Sequence, residues 1–228
     1  MIRGALVLAL LLPAWAAATV PAQAAVPGIR AGAEVSICYN YGCLREERVR
    51  FNGALLQRLG ERLASARTAA EERAQLAEAL GRLYRVAATQ TPVGADRAGN
   101  FLDAEGDGRM DCIDHSTSTT RLLALAEARG WLRYHRVVEP ARRTRLILQH
   151  FSAVIEVLAL EERIARLPPG QALAGCNCTE DGLVIEAADG GDRPGERYVV
   201  DSWFVDNGEP AVVMPLAEWL KGGGPNVQ

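Results

Sequence analysis

The chain has 228 residues, 49% of them hydrophobic and 23% charged, with a formal net charge of −3. That composition is globular and excludes a disordered or low-complexity protein. The arginines are scattered among glutamates, which excludes the concentrated basic face that nucleic-acid binding requires.

Residues 1–24 have the layout of a secretory signal. Arg3 supplies a positive start, an apolar run from Ala5 to Ala18 follows, and Ala22-Gln23-Ala24 forms a small-residue cleavage site. The apolar run is shorter than the roughly 20 residues that span a bilayer. The expectation is therefore an exported protein, periplasmic or secreted, with no membrane span once the signal is removed. Export also changes how the cysteines read, because thiols pair in an oxidising compartment. Cys38 with Cys43 and Cys176 with Cys178 are close couples, among which three pairings are open. Cys112 is left over as a candidate reactive thiol.

Residues 25–221 are expected to form one domain, followed by a flexible tail, 222–228. Val26 to Arg45 is a short lead-in. Glu46 to Ala88 carries leucines at three- and four-residue steps, which predicts helices broken near Ser65 to Glu71. Thr68 and Glu71 have the spacing of a capping box for the second helix. Thr89 to Asn100 is a loop, and a helix runs from about Asp111 to Ala128 with Gly130 closing it. Strands are predicted over Trp131–Glu139, Leu146–Leu158, Leu183–Ala187, Tyr198–Val205 and Ala211–Met214, with a basic turn at Arg142–Arg145 and a helical turn at Pro215–Leu220. Helices first and strands after indicate an α+β fold. The helical part spans 46–88, and the functional core is expected over 89–214.

Cys112 falls where a helix begins. There the helix dipole and the unpaired first amides favour a thiolate, while nearby carboxylates oppose it. A cysteine nucleophile needs a base and a group to orient that base. Of the three histidines, His115 lies one helical step from Cys112 but lacks an evident orienter. His135 reads as a surface residue among arginines, and His150 opens an apolar strand. Asp201 sits inside the hydrophobic run Tyr198 to Trp203, where a carboxylate is costly unless paired. Cys112, His150 and Asp201 are therefore the candidate catalytic set.

The stretch before Cys112 has a second pattern. Asp103, Glu105, Asp107, Gly108, Asp111 and Asp114 fall at relative positions 1, 3, 5, 6, 9 and 12, with Arg109 offering its carbonyl at position 7. This is EF-hand spacing with a dockerin-like final Asp, and it predicts a Ca2+ site beside the nucleophile. No organic cofactor is expected.

The motifs Asp111-Cys112-Ile113-Asp114, His150 to Val157 and Val199-Val200-Asp201-Ser202-Trp203 resemble those of the transglutaminase-like superfamily. The nearest branch is the bacterial transglutaminase-like cysteine peptidases. The resemblance covers roughly Leu80 to Val213. It implies a papain/transglutaminase-like fold in which an antiparallel sheet packs on the nucleophile helix. It also implies a thiol hydrolase, calcium-braced, acting on protein or peptide in the cell envelope through Cys112 as nucleophile, His150 as base and Asp201 as orienter. Where that family's box has a second acid, this chain has Ile113. The alternatives are an inactive relative, a non-enzymatic calcium-binding module, and a cell-wall amidase of the NlpC type.

Overall fold

The computed structural model describes residues 31–99, 106–145, 148–166 and 192–225. The expected signal, Asp103, Glu105, Cys176, Cys178 and the strand expected over Leu183–Ala187 lie outside them. Among the described residues the architecture is α+β, with two antiparallel sheets.

The chain begins with a hairpin that the sequence does not announce. β1 (Ala33–Tyr39) pairs antiparallel with β2 (Arg45–Phe51), from Ala33 opposite Phe51 to Tyr39 opposite Arg45. The run Glu46-Glu47-Arg48 was expected to open a helix. It is instead a strand whose first residues are solvated, while Val49 and Phe51 are buried with Val35, Ile37 and Tyr39. The first four residues of the connecting turn are left-handed, with φ of 66° at Asn40, 64° at Tyr41, 64° at Gly42 and 56° at Cys43. Cys38 and Cys43 form a disulfide across it, which closes the question of cross-pairing for these two.

Helix α1 (Gly53–Ala64) starts at Asn52, whose side chain accepts the Leu55 amide. In α2 (Ala69–Ala87) Thr68 accepts the Glu71 amide, as its spacing predicts. The Glu71 carboxylate takes the Arg67 amide, one residue before the expected partner. The leucines of both helices are core residues. After a 3-10 turn, Pro92–Ala95, the chain reaches α3 (Cys112–Ala128), which ends at Gly130 with φ 69°.

The second sheet has the order β3 (His135–Arg145), β4 (Leu148–Val157), β5 (Arg197–Asp201), β6 (Val212–Pro215), all antiparallel. The arginines expected in a turn are strand residues, with Arg143 opposite His150. Register slips between Val138 and Ala141. Pro140, which has no amide to give the ladder, lies in that gap. A short helix, α4 (Leu160–Ala165), follows β4, and α5 (Leu216–Leu220) follows β6.

Strand alternation gives this sheet two buried faces. Ala153, Ile155, Tyr198 and Val200 join the main core with Leu122, Leu123 and Ala126 of α3. Val154 and Val199 face the other way and pack with Trp203, Phe204 and Trp219. His150 and Asp201 have the same parity as Val154 and Val199, so they belong to the Trp219 face. Gly222 and Gly223, expected in a flexible tail, close α5 instead by donating to the Trp219 and Glu218 carbonyls.

Candidate active site

His150 and Asp201 meet on adjacent strands. His150 Nε2 lies 2.8 Å from Asp201 Oδ2, and the two residues are 5% and 1% exposed. Trp219 Nε1 donates to the same Oδ2 at 3.0 Å, and the Trp203 amide donates to Oδ1 at 3.2 Å. Indole and amide groups only donate, so the carboxylate is the acceptor for all its partners. Nε2 then carries the imidazole proton, and Nδ1 of the neutral ring presents a lone pair. Nδ1 is buried and has no hydrogen-bond partner among the described residues. An unpaired buried polar atom costs about 1–3 kcal/mol, so its presence calls for a reason. The ring itself is enclosed by Trp203, Phe204 and Trp219, at centroid distances of 4.7, 5.4 and 5.4 Å.

Cys112 is the first residue of α3 and carries a free thiol. Its Sγ is 3.8 Å from the Gln149 carbonyl, and the Phe151 amide also faces it, so the sulfur lies against the backbone on both sides of His150. Its side chain packs against the Trp203–Trp219 cluster. Burial pushes the thiol up to about 11, and the Asp111 and Asp201 carboxylates push the same way. The Phe151 amide and the Cys112 amide favour the thiolate but do not outweigh burial. The helix terminus therefore does not activate this sulfur by itself; a proton acceptor is needed.

Carboxylates fix the helix start. Asp111 Oδ1 accepts the Ile113 and Asp114 amides, and Asp114 Oδ2 accepts the Asp111 amide in return, a capping box around the cysteine. Both acids also reach the left-handed hairpin turn. Asp111 Oδ2 accepts the Gly42 amide at 2.9 Å, while Asp114 accepts Tyr41 at 2.8 Å and Cys43 at 2.5 Å. Consecutive amides in a left-handed turn form an anion-binding concavity, and here two carboxylates fill it.

The same contacts bear on the expected calcium loop. The Arg109 carbonyl accepts the Asn40 amide, and Asp107 Oδ1 accepts the Asn40 side-chain amide. The predicted ligands among the described residues, Asp107, Arg109, Asp111 and Asp114, thus turn their oxygens to the hairpin. They do not converge on a point between them. The one group of three potential donors gathered among the described residues is Cys38, Cys43 and Asp114, and its two sulfurs form the disulfide. The other two expected calcium ligands, Asp103 and Glu105, lie outside the described residues, so these contacts speak only for Asp107, Arg109, Asp111 and Asp114. Gly108, at position 6 of that spacing, has a positive φ of 86°, and a Cβ there would collide with the Pro92 carbonyl, so glycine is required whether or not a cation binds.

The other two histidines are both buried. His135, expected at the surface, is 0% exposed, with Nδ1 2.8 Å from Glu72 Oε1. His115 does have an orienter. Its Nε2 is 2.9 Å from Asp96 Oδ2 and its Nδ1 is 2.8 Å from Ser202 Oγ, and the chain continues through Thr119 to Tyr84. This second network ties α3 to the residue after Asp201. Asp96 comes from a loop with no periodicity, so only its being an acid beside a turn could have marked it.

No family model, curated protein or solved structure matches the chain.

Proposed function

We propose that this chain is a thiol hydrolase of papain/transglutaminase-like type, with Cys112 as nucleophile, His150 as general base and Asp201 as the group that orients it. One observation carries the reading. The buried imidazole gives one nitrogen to a carboxylate 2.8 Å away and leaves the other unpaired, on the strand segment against which the only free thiol among the described residues is packed. Nucleophile, base and orienter in that relation form the working unit of acyl transfer.

Cys112 sulfur adds to an amide carbonyl carbon as its proton passes to His150 Nδ1. The carbonyl oxygen becomes an oxyanion, for which the Cys112 amide at the head of α3 is the nearest helix donor. The intermediate collapses, the C–N bond breaks, and the amine leaves with the proton from Nδ1. Water then gives a proton to Nδ1 and attacks the thioester. The C–S bond breaks, the acid leaves, and the Cys112 sulfur takes back the proton from Nδ1, restoring thiol and neutral imidazole. An amine in place of water gives transamidation by the same steps. The substrate class is peptide or protein amide. A disulfide at Cys38–Cys43 suits an exported protein.

The thiol's upward shift favours a second reading, an inactive relative that has kept the fold with a protonated Cys112. Exposure to p-nitrophenyl acetate separates the two. A hydrolase forms an acetyl thioester on Cys112, detected by intact and peptide mass; the adduct is absent in Cys112→Ala and much reduced in His150→Ala. A folded wild-type protein that shows no acylation of Cys112 would sink the hydrolase reading.

A further inference from the structure

The most heavily supported group on the Trp219 face is the Asp201 carboxylate, and its third partner comes from outside the sheet. Trp219 belongs to α5, near the end of the chain, and is 0% exposed. Its indole N–H donates to Asp201 Oδ2, the oxygen that faces His150, at 3.0 Å. Its ring lies 5.4 Å from the imidazole centroid. One side chain thus touches both members of the pair, through its polar edge and its apolar face.

Trp219 is itself held in place. The Arg143 guanidinium lies 4.6 Å from its ring centroid and donates to the Trp219 and Gly223 carbonyls at 2.6 and 2.7 Å. Arg143 stands opposite His150 in the β3–β4 ladder. The clamp is therefore anchored to the same strand pair that carries the base.

We infer that Trp219 is a positioning residue for the His150–Asp201 pair: its N–H fixes the carboxylate rotamer and its ring excludes water, so that His150 keeps the tautomer whose Nδ1 accepts a proton. This rests on the functional reading above, in which Nδ1 takes the proton of Cys112. A carboxylate oxygen shared between two donors is a weaker acceptor for each. Removing the indole N–H leaves Oδ2 entirely to the imidazole, which stabilises the imidazolium.

The test is an NMR titration of the full chain, read at the His150 ring and the Trp219 indole N–H, alongside iodoacetamide modification of Cys112 across pH. In the wild-type protein the indole N–H signal should move with the same midpoint as His150. In Trp219→Phe, which keeps a ring but loses the N–H, the His150 midpoint should rise by about half a unit or more. The pH dependence of Cys112 alkylation should move with it. Packing alone would lower the melting temperature of that variant without moving either midpoint. An indole signal that stays fixed while His150 titrates overturns the inference in the wild-type protein, whether or not the variant folds. An unmoved His150 midpoint in a folded Trp219→Phe protein overturns it too. The two failures separate: if the indole follows His150 but Cys112 alkylation ignores removal of His150, the hydrolase reading falls and the Trp219–Asp201 coupling remains.

Discussion

Asp114, in the first turn of α3, accepts the backbone amide of Cys43 at 2.5 Å, so the helix that carries Cys112 is fastened to a turn that the Cys38–Cys43 disulfide closes. The acid accepts the Tyr41 and Asp111 amides as well, yet burial outweighs them and pushes its carboxyl from 3.8 up to about 6. The sign of the pH effect follows. Between about 6 and 4 the folded chain holds a proton here that the unfolded chain lacks, so this group favours folding increasingly as pH falls through that window. The contribution is complete below about 4 and is lost as pH rises through 6. Asp114→Asn cannot ionise. The melting temperature of the wild-type protein should therefore gain on that of the variant between pH 6.5 and 4; a constant gap over this range would show that Asp114 does not titrate there.

The left-handed run from Asn40 to Cys43 includes three residues with side chains, and each disfavours that conformation by roughly 1 kcal/mol or more. The cross-link and the two carboxylates over-determine it. A disulfide closing so short a loop contributes about 2 kcal/mol in the chain-entropy account. Cys38→Ser with Cys43→Ser should then lower the melting temperature by about 4–8 °C for a domain of this size. The Tyr41 and Gly42 amides, which rely on the turn to face Asp111 and Asp114, should lose protection from hydrogen exchange. Unchanged protection would mean the carboxylates alone hold the turn.

Cys112 titrates high because it is buried beside Asp111 and Asp201. If His150 is its proton acceptor, alkylation by iodoacetamide in the wild-type protein should proceed near neutral pH. In His150→Ala it should fall at least tenfold at pH 7 and then climb towards pH 11, following the bare thiol. Equal rates in the two proteins at pH 7 would detach the imidazole from the sulfur.

EF-hand spacing in the loop before α3 predicts calcium; the geometry of Asp107, Arg109, Asp111 and Asp114 predicts indifference to it. A ligand that binds only the folded state raises its stability. Treatment with EGTA should leave the melting temperature unchanged. A fall that added calcium reverses would give the loop a cation after all.

What could be inferred from the sequence and what could not divides by whether a local pattern marks the residue. Asp201 announced itself because a carboxylate among Tyr198, Val199 and Val200 needs a partner, and His150 lies 2.8 Å from it. The start of α3 was equally legible: a helix was expected from about Asp111, and Cys112 is its first residue. β2 was not. Arg45 to Arg48 are solvated strand residues, and their charges look the same on a strand as on a helix until Val49 and Phe51 are packed. Nor were the contacts that finish the site. Asp96 reaches His115 across 19 residues and Trp219 reaches Asp201 across 18, with no local pattern to mark either. The same acidic spacing that suggests a cation loop also serves a capping box, whose two carboxylates hold the hairpin's amides.

His135 shows how far a locally bland residue can depart from its expected place. Among Arg133 and Arg136 it looked solvated, yet its ring is buried against Glu72 of α2. Arg73 Nη1, a donor, lies 3.3 Å from Nε2, so Nδ1 carries the proton toward the carboxylate. Glu72 also accepts the Arg133, Tyr134 and His135 amides, the approach to β3. One buried acid therefore satisfies a stretch of backbone that has left α3 and is entering the sheet at His135. Glu72→Ala strands those amides and the ring together. We expect a loss of about 3–5 kcal/mol in urea unfolding, with the unfolding slope m kept. Glu72→Gln retains one carbonyl oxygen but turns an NH2 toward donors, so it should recover only part of that loss. A cost below about 1 kcal/mol for the alanine variant would mean that water replaces the carboxylate, and that β3 does not depend on α2 for its start.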